Sequence, residues 1–213
     1  MPATVQSVNV ASPRPVHWDN RGMPTAIDKR PTSGRVRVDL LGLAGDRVGD
    51  PSRHGGTDQA VYAYAREDAA WWAAELGRVV TPGCFGENLS TQDIDLTSAV
   101  IGEVWTVGTA VLQVSCPRVP CHTFAGFWGV PDLIKRFTVR ATPGAYLRVR
   151  NVGEVGTGDL IRVASRPDHG VTVGVAFRAL MTEPDRLPLL VDLPDLAEKY
   201  RTTAQRRVAV RQT

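Results

Sequence analysis

The chain has 213 residues, 43% of them hydrophobic, enough to bury the core of one good-sized domain with an appendage. Its 25 Lys and Arg against 22 Asp and Glu leave a formal net charge of +3, and the arginines are spread rather than blocked, which favours an anionic small ligand and argues against a nucleic-acid surface. No apolar run approaches the roughly 20 residues of a bilayer crossing, and an odd set of cysteines (Cys84, Cys116, Cys121) with no charged-then-apolar leader points to a reducing cytoplasm.

In chain order, Thr4 to Val10 and Gly34 to Leu40 read as strands, the second by its period-two alternation. Pro24 to Lys29 reads as a further short strand, stopped at Pro31, with Lys29 left near its end as a candidate anion contact. The segment from Leu43 to Asp58 is a loop dense in Gly, Asp and Pro. Within it Arg53 and His54 precede Gly55 and Gly56, so that two side chains and freely oriented backbone amides can converge on one anion. Gln59 to Tyr64 is a strand, and Arg66 to Leu76 a helix closed by Gly77, with Trp71 and Trp72 as core. Glu87 and Asn88 stand in a Gly-punctuated turn, where they cap the loop or meet a ligand.

Two strands joined at Gly108 deliver the chain to Val114–Phe124, the stretch that carries chemistry. Pro120 can open a helix, placing Cys121 in the first turn near the positive end of the dipole, with Arg118 close by; both lower a thiol's pKa and make it a nucleophile or a metal ligand. Pro131 to Arg140 reads as a helix. The segments 144–150 and 159–164, flanking a Gly-rich turn, read as a hairpin. Many short strands, few helices and repeated Gly turns predict a mainly β fold with α: a closed or partly closed β-barrel with peripheral helices.

From Asp168 the pattern changes to a small three-helix unit, so the expected organisation is a barrel domain over 1–167 and a tail over 168–213. Thr172 caps the first helix, Pro184–Asp185 opens the second with Pro188 in its first turn, and Asp195 with Glu198 forms a capping box for a third that runs to about Arg207. With no cysteine or histidine beyond His169, the tail is expected to be architectural or partner-binding, and its basic end a solvated helix terminus.

Five motifs then carry a resemblance: Leu41-Gly-Leu-Ala-Gly-Asp46, Arg53-His-Gly-Gly56, Gly86-Glu-Asn-Leu89, Pro117-Arg-Val-Pro-Cys121 and Gly144-Ala-Tyr-Leu-Arg148. In their order they resemble the MOSC family, named after the C-terminal domain of molybdenum cofactor sulfurase, and its YiiM-like branch with a three-helix tail, over roughly residues 4 to 207. The resemblance implies a β-barrel that binds molybdopterin-type molybdenum cofactor. In it Cys121 matches the cysteine that ligates molybdenum or carries sulfur, and His54 is a second catalytic candidate. Lys29, Arg53, His54, Gly55, Gly56, Asn88, Arg118 and Arg148, with Lys135 as a further candidate, would meet the cofactor. It also implies reduction of N-hydroxylated or N-oxide small molecules fed by a separate electron donor, with a persulfide transferase and a non-catalytic cofactor carrier as alternatives. A homodimer is left open. Residue 28 is Asp where the motif has an aromatic, and residue 116 is Cys where the branch has Gln, which raises a redox pairing of Cys116 with Cys121.

Overall fold

The computed structural model describes residues 1–18, 24–51 and 54–212. Its strands are β1 (Thr4–Val10), β2 (Arg30–Pro31), β3 (Val36–Asp39), β4 (Gly42–Leu43), β5 (Val61–Ala65), β6 (Leu89–Gln92), β7 (Val104–Val107), β8 (Ala110–Pro117), β9 (Ala145–Asn151), β10 (Gly153–Val155) and β11 (Ile161–Ser165). Its helices are α1 (Arg66–Leu76), α2 (His122–Trp128), α3 (Leu133–Arg140), α4 (Val173–Met181), α5 (Pro188–Val191) and α6 (Glu198–Gln212).

One eight-stranded sheet runs β11-β7-β8-β9-β5-β6-β1-β2, and a smaller one runs β10-β3-β4. Among the described residues only β5 and β6 pair in parallel, with α1 as the crossover between them. The sheet curls back on itself, because the chain entering β11 returns to β1: Val5 N–H donates to the Asp159 carbonyl (2.9 Å), and Ile161 N–H to that of Ala3 (2.8 Å). The result is the expected partly closed barrel with helices outside. Two expectations about strands need correction. Segments 144–150 and 159–164 are not a hairpin, since β9 pairs with β8 and β5 while β11 pairs with β7. No strand forms over 24–29, where only Thr25 bridges to Arg14; the strand is Arg30–Pro31, on the sheet edge where a proline's missing N–H leaves no ladder bond unmade.

The period of β5 explains how the core divides. Val61, Ala63 and Ala65 face an aliphatic cluster inside the barrel, whereas Tyr62 and Tyr64 face an aromatic one outside it with Trp72, Phe85, Phe124, Phe137 and Phe177. Helices α1, α2 and α3 cover that aromatic layer. Burying each such ring contributes on the order of 2–3 kcal/mol, so α2 is anchored by Phe124, which is fully buried. Helix α1 ends as expected at Gly77, whose left-handed backbone (φ 58°) closes the last turn. Trp72 is core, but Trp71 is 38% exposed on the outer side.

In the tail, the Thr172 hydroxyl caps α4 by accepting from Val175 N–H (3.1 Å), and Pro188 stands in the first turn of α5. The capping box at Asp195 does not form. Asp195 accepts instead from the Gln113 amide (3.1 Å), and the first N–H of α6, that of Glu198, donates to Asp58 (3.1 Å). The basic end is not simply solvated either: Arg207 donates to the Leu180 carbonyl at the end of α4 (2.8 Å), and Arg211 pairs with Asp185. The aliphatic cluster runs without a break from Val5 and Val114 of the barrel to Ala176, Leu190 and Ala204 of the tail. Among the described residues no helix is long and apolar enough to cross a membrane.

Candidate functional site

A cavity of about 520 Å³ opens where the end of β8, the loop before β5 and the N-terminus of α6 meet. Strand β8 is buried along nearly its whole length and ends at Pro117, which delivers Arg118 to Cys121 onto the cavity wall. Cys121 is the N-cap of α2, which starts at His122, two residues later than expected, so Pro120 lies outside the helix; the Cys121 backbone is extended (φ −129°, ψ 170°) and its side chain half-buried. Burial alone would raise its thiol's pKa. A hydrogen bond from the His54 side chain, the positive charge of Arg118 and the N–H of Phe124 outweigh it and push the pKa down to about 6, so Cys121 is a thiolate at neutral pH.

Arg118 is only 5% exposed. Its guanidinium lies 4.1 Å over the Phe124 ring and 5.4 Å over that of Tyr62, and its Nη1 has no hydrogen-bond partner among the described residues. A buried guanidinium N–H left unpaired costs free energy unless an acceptor arrives. Burial raises the Tyr62 phenol and pushes that of Tyr146 up to about 12, so both stay protonated along the wall.

Across the cavity Lys29 donates to both Asp46 oxygens (2.5 and 2.6 Å), and Asn88 donates to the same carboxylate (2.8 Å) while accepting from Tyr62 N–H (3.0 Å). Burial lowers the Lys29 pKa and Asp46 acts against it. The close seat of Lys29 depends on Gly83 (φ 88°), where a Cβ would stand 2.2 Å from the Lys29 carbonyl oxygen. Glu87, 1% exposed, folds this loop by accepting from Gly83 N–H (2.7 Å), Phe85 N–H (2.9 Å) and the Ser90 hydroxyl (2.7 Å), which is the capping role.

Of the residues expected at one site, Cys121, His54, Gly55, Lys29, Asn88 and Arg118 line this cavity together. Cys121 and His54 are 67 positions apart in the chain. Arg53 lies outside the described residues. Three others need correction. Gly56 adopts the expected positive φ (78°) but caps the short 3-10 turn at Thr57–Gln59 and does not line the cavity. Arg148 is committed to Asp58 (2.7 Å) and Gln113 (3.1 Å). Lys135 lies in a shallow outer cleft beside Trp71 and Arg136. Cys116 is fully buried in the barrel core, and chiefly that burial pushes its thiol up to about 12.

The wall also contains Asp46, Tyr62, Tyr146, Lys199 and Tyr200, none of which the sequence reading assigned to the site. Asp46 stood in a quoted motif, and the alternation of β5 could have turned Tyr62 away from the barrel. Lys199 and Tyr200 belong to α6, so the tail is not confined to the exterior. Among the described residues no group of three or more His, Cys, Asp or Glu side chains is placed to hold a metal ion. A metal bound at Cys121 would therefore need most of its ligands from a cofactor. One soft thiolate suits a centre already held by two cofactor sulfurs, and the orphaned Arg118 N–H suits that cofactor's phosphate.

Residues 50–162 match the family model described as the MOSC domain. Among curated proteins the chain is similar to the uncharacterized protein YflK of Bacillus subtilis, 33% identical over 82% of this chain and 79% of that protein. It is likewise similar to protein YiiM of Escherichia coli, 30% identical over 87% and 85%. A protein named reductase from Gibberella moniliformis is 33% identical over 81% of this chain, which corresponds to 31% of that protein's length. Among solved structures, YiiM from Geobacillus stearothermophilus superposes with a TM-score of 0.82 at 27% identity, covering 97% of this chain and all of that one.

Proposed function

The chain belongs to the MOSC family, and on that premise we propose that its cavity holds a molybdenum-bearing pterin through Cys121 and serves to reduce N-hydroxylated or N-oxide small molecules. The observation that carries this reading is the Cys121 thiolate on the cavity wall, lowered to about pKa 6 by His54 and Arg118. When bound, the cofactor would supply a metal centre able to exchange two electrons and to accept the oxygen removed from an N–O bond.

The chain's own residues do the rest. Cys121 Sγ is the soft ligand. A hydrogen bond from the His54 side chain favours the thiolate form of that sulfur and holds it in place. Arg118 Nη1 gains in the cofactor's phosphate the acceptor it lacks among the described residues, and Asn88, Lys29 and the Gly55 backbone complete that wall. The Phe124 and Tyr62 faces around Arg118 exclude water, which strengthens a charge-assisted bond there. The reducing equivalents come from a separate donor protein or reductant.

Metal analysis of protein made in a cofactor-competent host, followed by turnover of an N-hydroxylated base with an artificial reductant, tests this. Molybdenum near one atom per chain with turnover is expected. Molybdenum without turnover would indicate a carrier. Metal-free protein whose Cys121 accepts and passes on sulfur would establish the second reading, persulfide transfer, which the same lowered thiol pKa favours.

A further inference from the structure

Two of the cations on the cavity wall are held closely by the protein around them. Lys29 is neutralised by Asp46, and Arg118 is pressed against aromatic faces. Lys199, reaching in from the first turn of α6, is different: its ammonium donates once, to the neutral Gln59 side-chain oxygen (2.6 Å), and stands 4.9 Å over the Tyr200 ring. An ammonium has three donors. The other two have no protein acceptor among the described residues, and no carboxylate there lies within ion-pair distance. Asp58, the carboxylate whose charge acts on Lys199, is spent on Arg148 (2.7 Å) and on the Glu198 N–H that starts α6 (3.1 Å).

Asp58 thus fixes the start of the helix that presents Lys199, without itself neutralising the ammonium. Gln59, the next residue and also on the cavity wall, orients the ammonium. Lys199 is exposed to solvent on one side, while partial burial against the wall lowers its pKa, an effect that an arriving anion would offset. We infer that Lys199 of the tail is an anion-recognition residue of this cavity, binding the phosphate-type oxyanion of its ligand. The inference rests on this cavity being the ligand site and is independent of the redox chemistry assigned to it.

Two sources offer that chemistry, the phosphate of the pterin and an anionic group on the substrate. The probe is inorganic phosphate, titrated into the purified full-length, cofactor-free protein against chloride of equal ionic strength. Binding is read by calorimetry and by slowed alkylation of Cys121. Phosphate should bind and protect, Lys199→Gln should weaken it by at least about tenfold, and Lys199→Arg should stay within about threefold of wild type. If cofactor-loaded protein no longer binds phosphate, the pterin's phosphate is the occupant; if it still does, the substrate's anion is. Unchanged phosphate affinity in a folded Lys199→Gln protein, or no binding by wild type beyond that of chloride, overturns the assignment. Because neither readout needs metal or turnover, that failure is separable from a failure of the proposed reductase activity.

Discussion

Cys116 and Cys121 are five positions apart, carry the same side chain, and end in opposite chemical states. Burial acts on both in the same direction, raising the thiol. Cys116, on β8 inside the barrel, meets only the Ser115 hydroxyl (3.7 Å) and the Asp58 carbonyl (4.0 Å), and is pushed up to about 12. Cys121, past Pro117 and Pro120, meets His54, Arg118 and the Phe124 N–H and falls to about 6. Reactivity here is assembled by long-range partners at a strand-to-helix junction. On the apolar strand a few residues earlier, Ser115, Lys199 and Arg148 favour a thiolate too weakly to offset burial.

The largest effect expected from that contrast is on turnover. Cys121→Ser should lower the proposed reductase activity at least about 100-fold with little loss of stability, since a hard, protonated hydroxyl would replace the proposed soft ligand at nearly constant volume. Cys116→Ser should keep activity within a few-fold and cost on the order of 1–3 kcal/mol in denaturant unfolding, because it places a more polar hydroxyl in the aliphatic core. Equal loss of turnover from both variants would break the comparison. If that equal loss were found in metal-free protein, it would favour persulfide transfer.

A smaller effect sharpens the same contrast. Alkylation of Cys121 should rise with a midpoint near pH 6 while Cys116 stays unmodified in the folded protein, as followed by peptide mass analysis. Removing the hydrogen bond in His54→Ala should move the Cys121 midpoint upward by a unit or more. The stability linkage has a definite sign: the folded pKa lies below the unfolded value of about 8.5, so the thiolate's contribution is complete above pH 8.5 and is lost as pH falls through 6. The stability of wild type relative to Cys121→Ser should therefore grow between pH 6 and pH 8.5. A flat difference across that window would mean the thiol is not ionised in the fold.

Local signals were the ones legible in the sequence. The Thr172 cap, the Gly77 terminus of α1 and the reactive frame around Cys121 each depend on residues a few positions apart, and each is present. Strand partners were not legible, because a segment such as 159–164 carries the same pattern whether it pairs with β9 or, as it does, with β7. The two arginines show the limit most clearly. Arg118 and Arg148 both stand in matched motifs, yet Asp58 lies within reach of Arg148 alone and takes it out of the site. Lys199 was hidden for the complementary reason: a basic residue in the first turn of a largely polar helix gives no sign of what the helix is docked against.

The smallest effect isolates the network on the Cys116 side. Asp58 joins Arg148 of β9 to the start of α6, while its own carbonyl stands next to Cys116. Asp58→Ala removes a carboxylate from a helix N-terminus, worth about 1 kcal/mol, together with a part-buried ion pair worth about 1 kcal/mol, so a destabilisation of roughly 2 kcal/mol is expected. With the α6 start loosened, Lys199 should hold phosphate less well, by about threefold. The Cys121 alkylation midpoint should stay where it is, because Asp58 is not among the groups that set it. A midpoint that moved with Asp58→Ala would show that the tail and the thiolate share one electrostatic unit, and the separation between the two cysteines would then be narrower than their surroundings indicate.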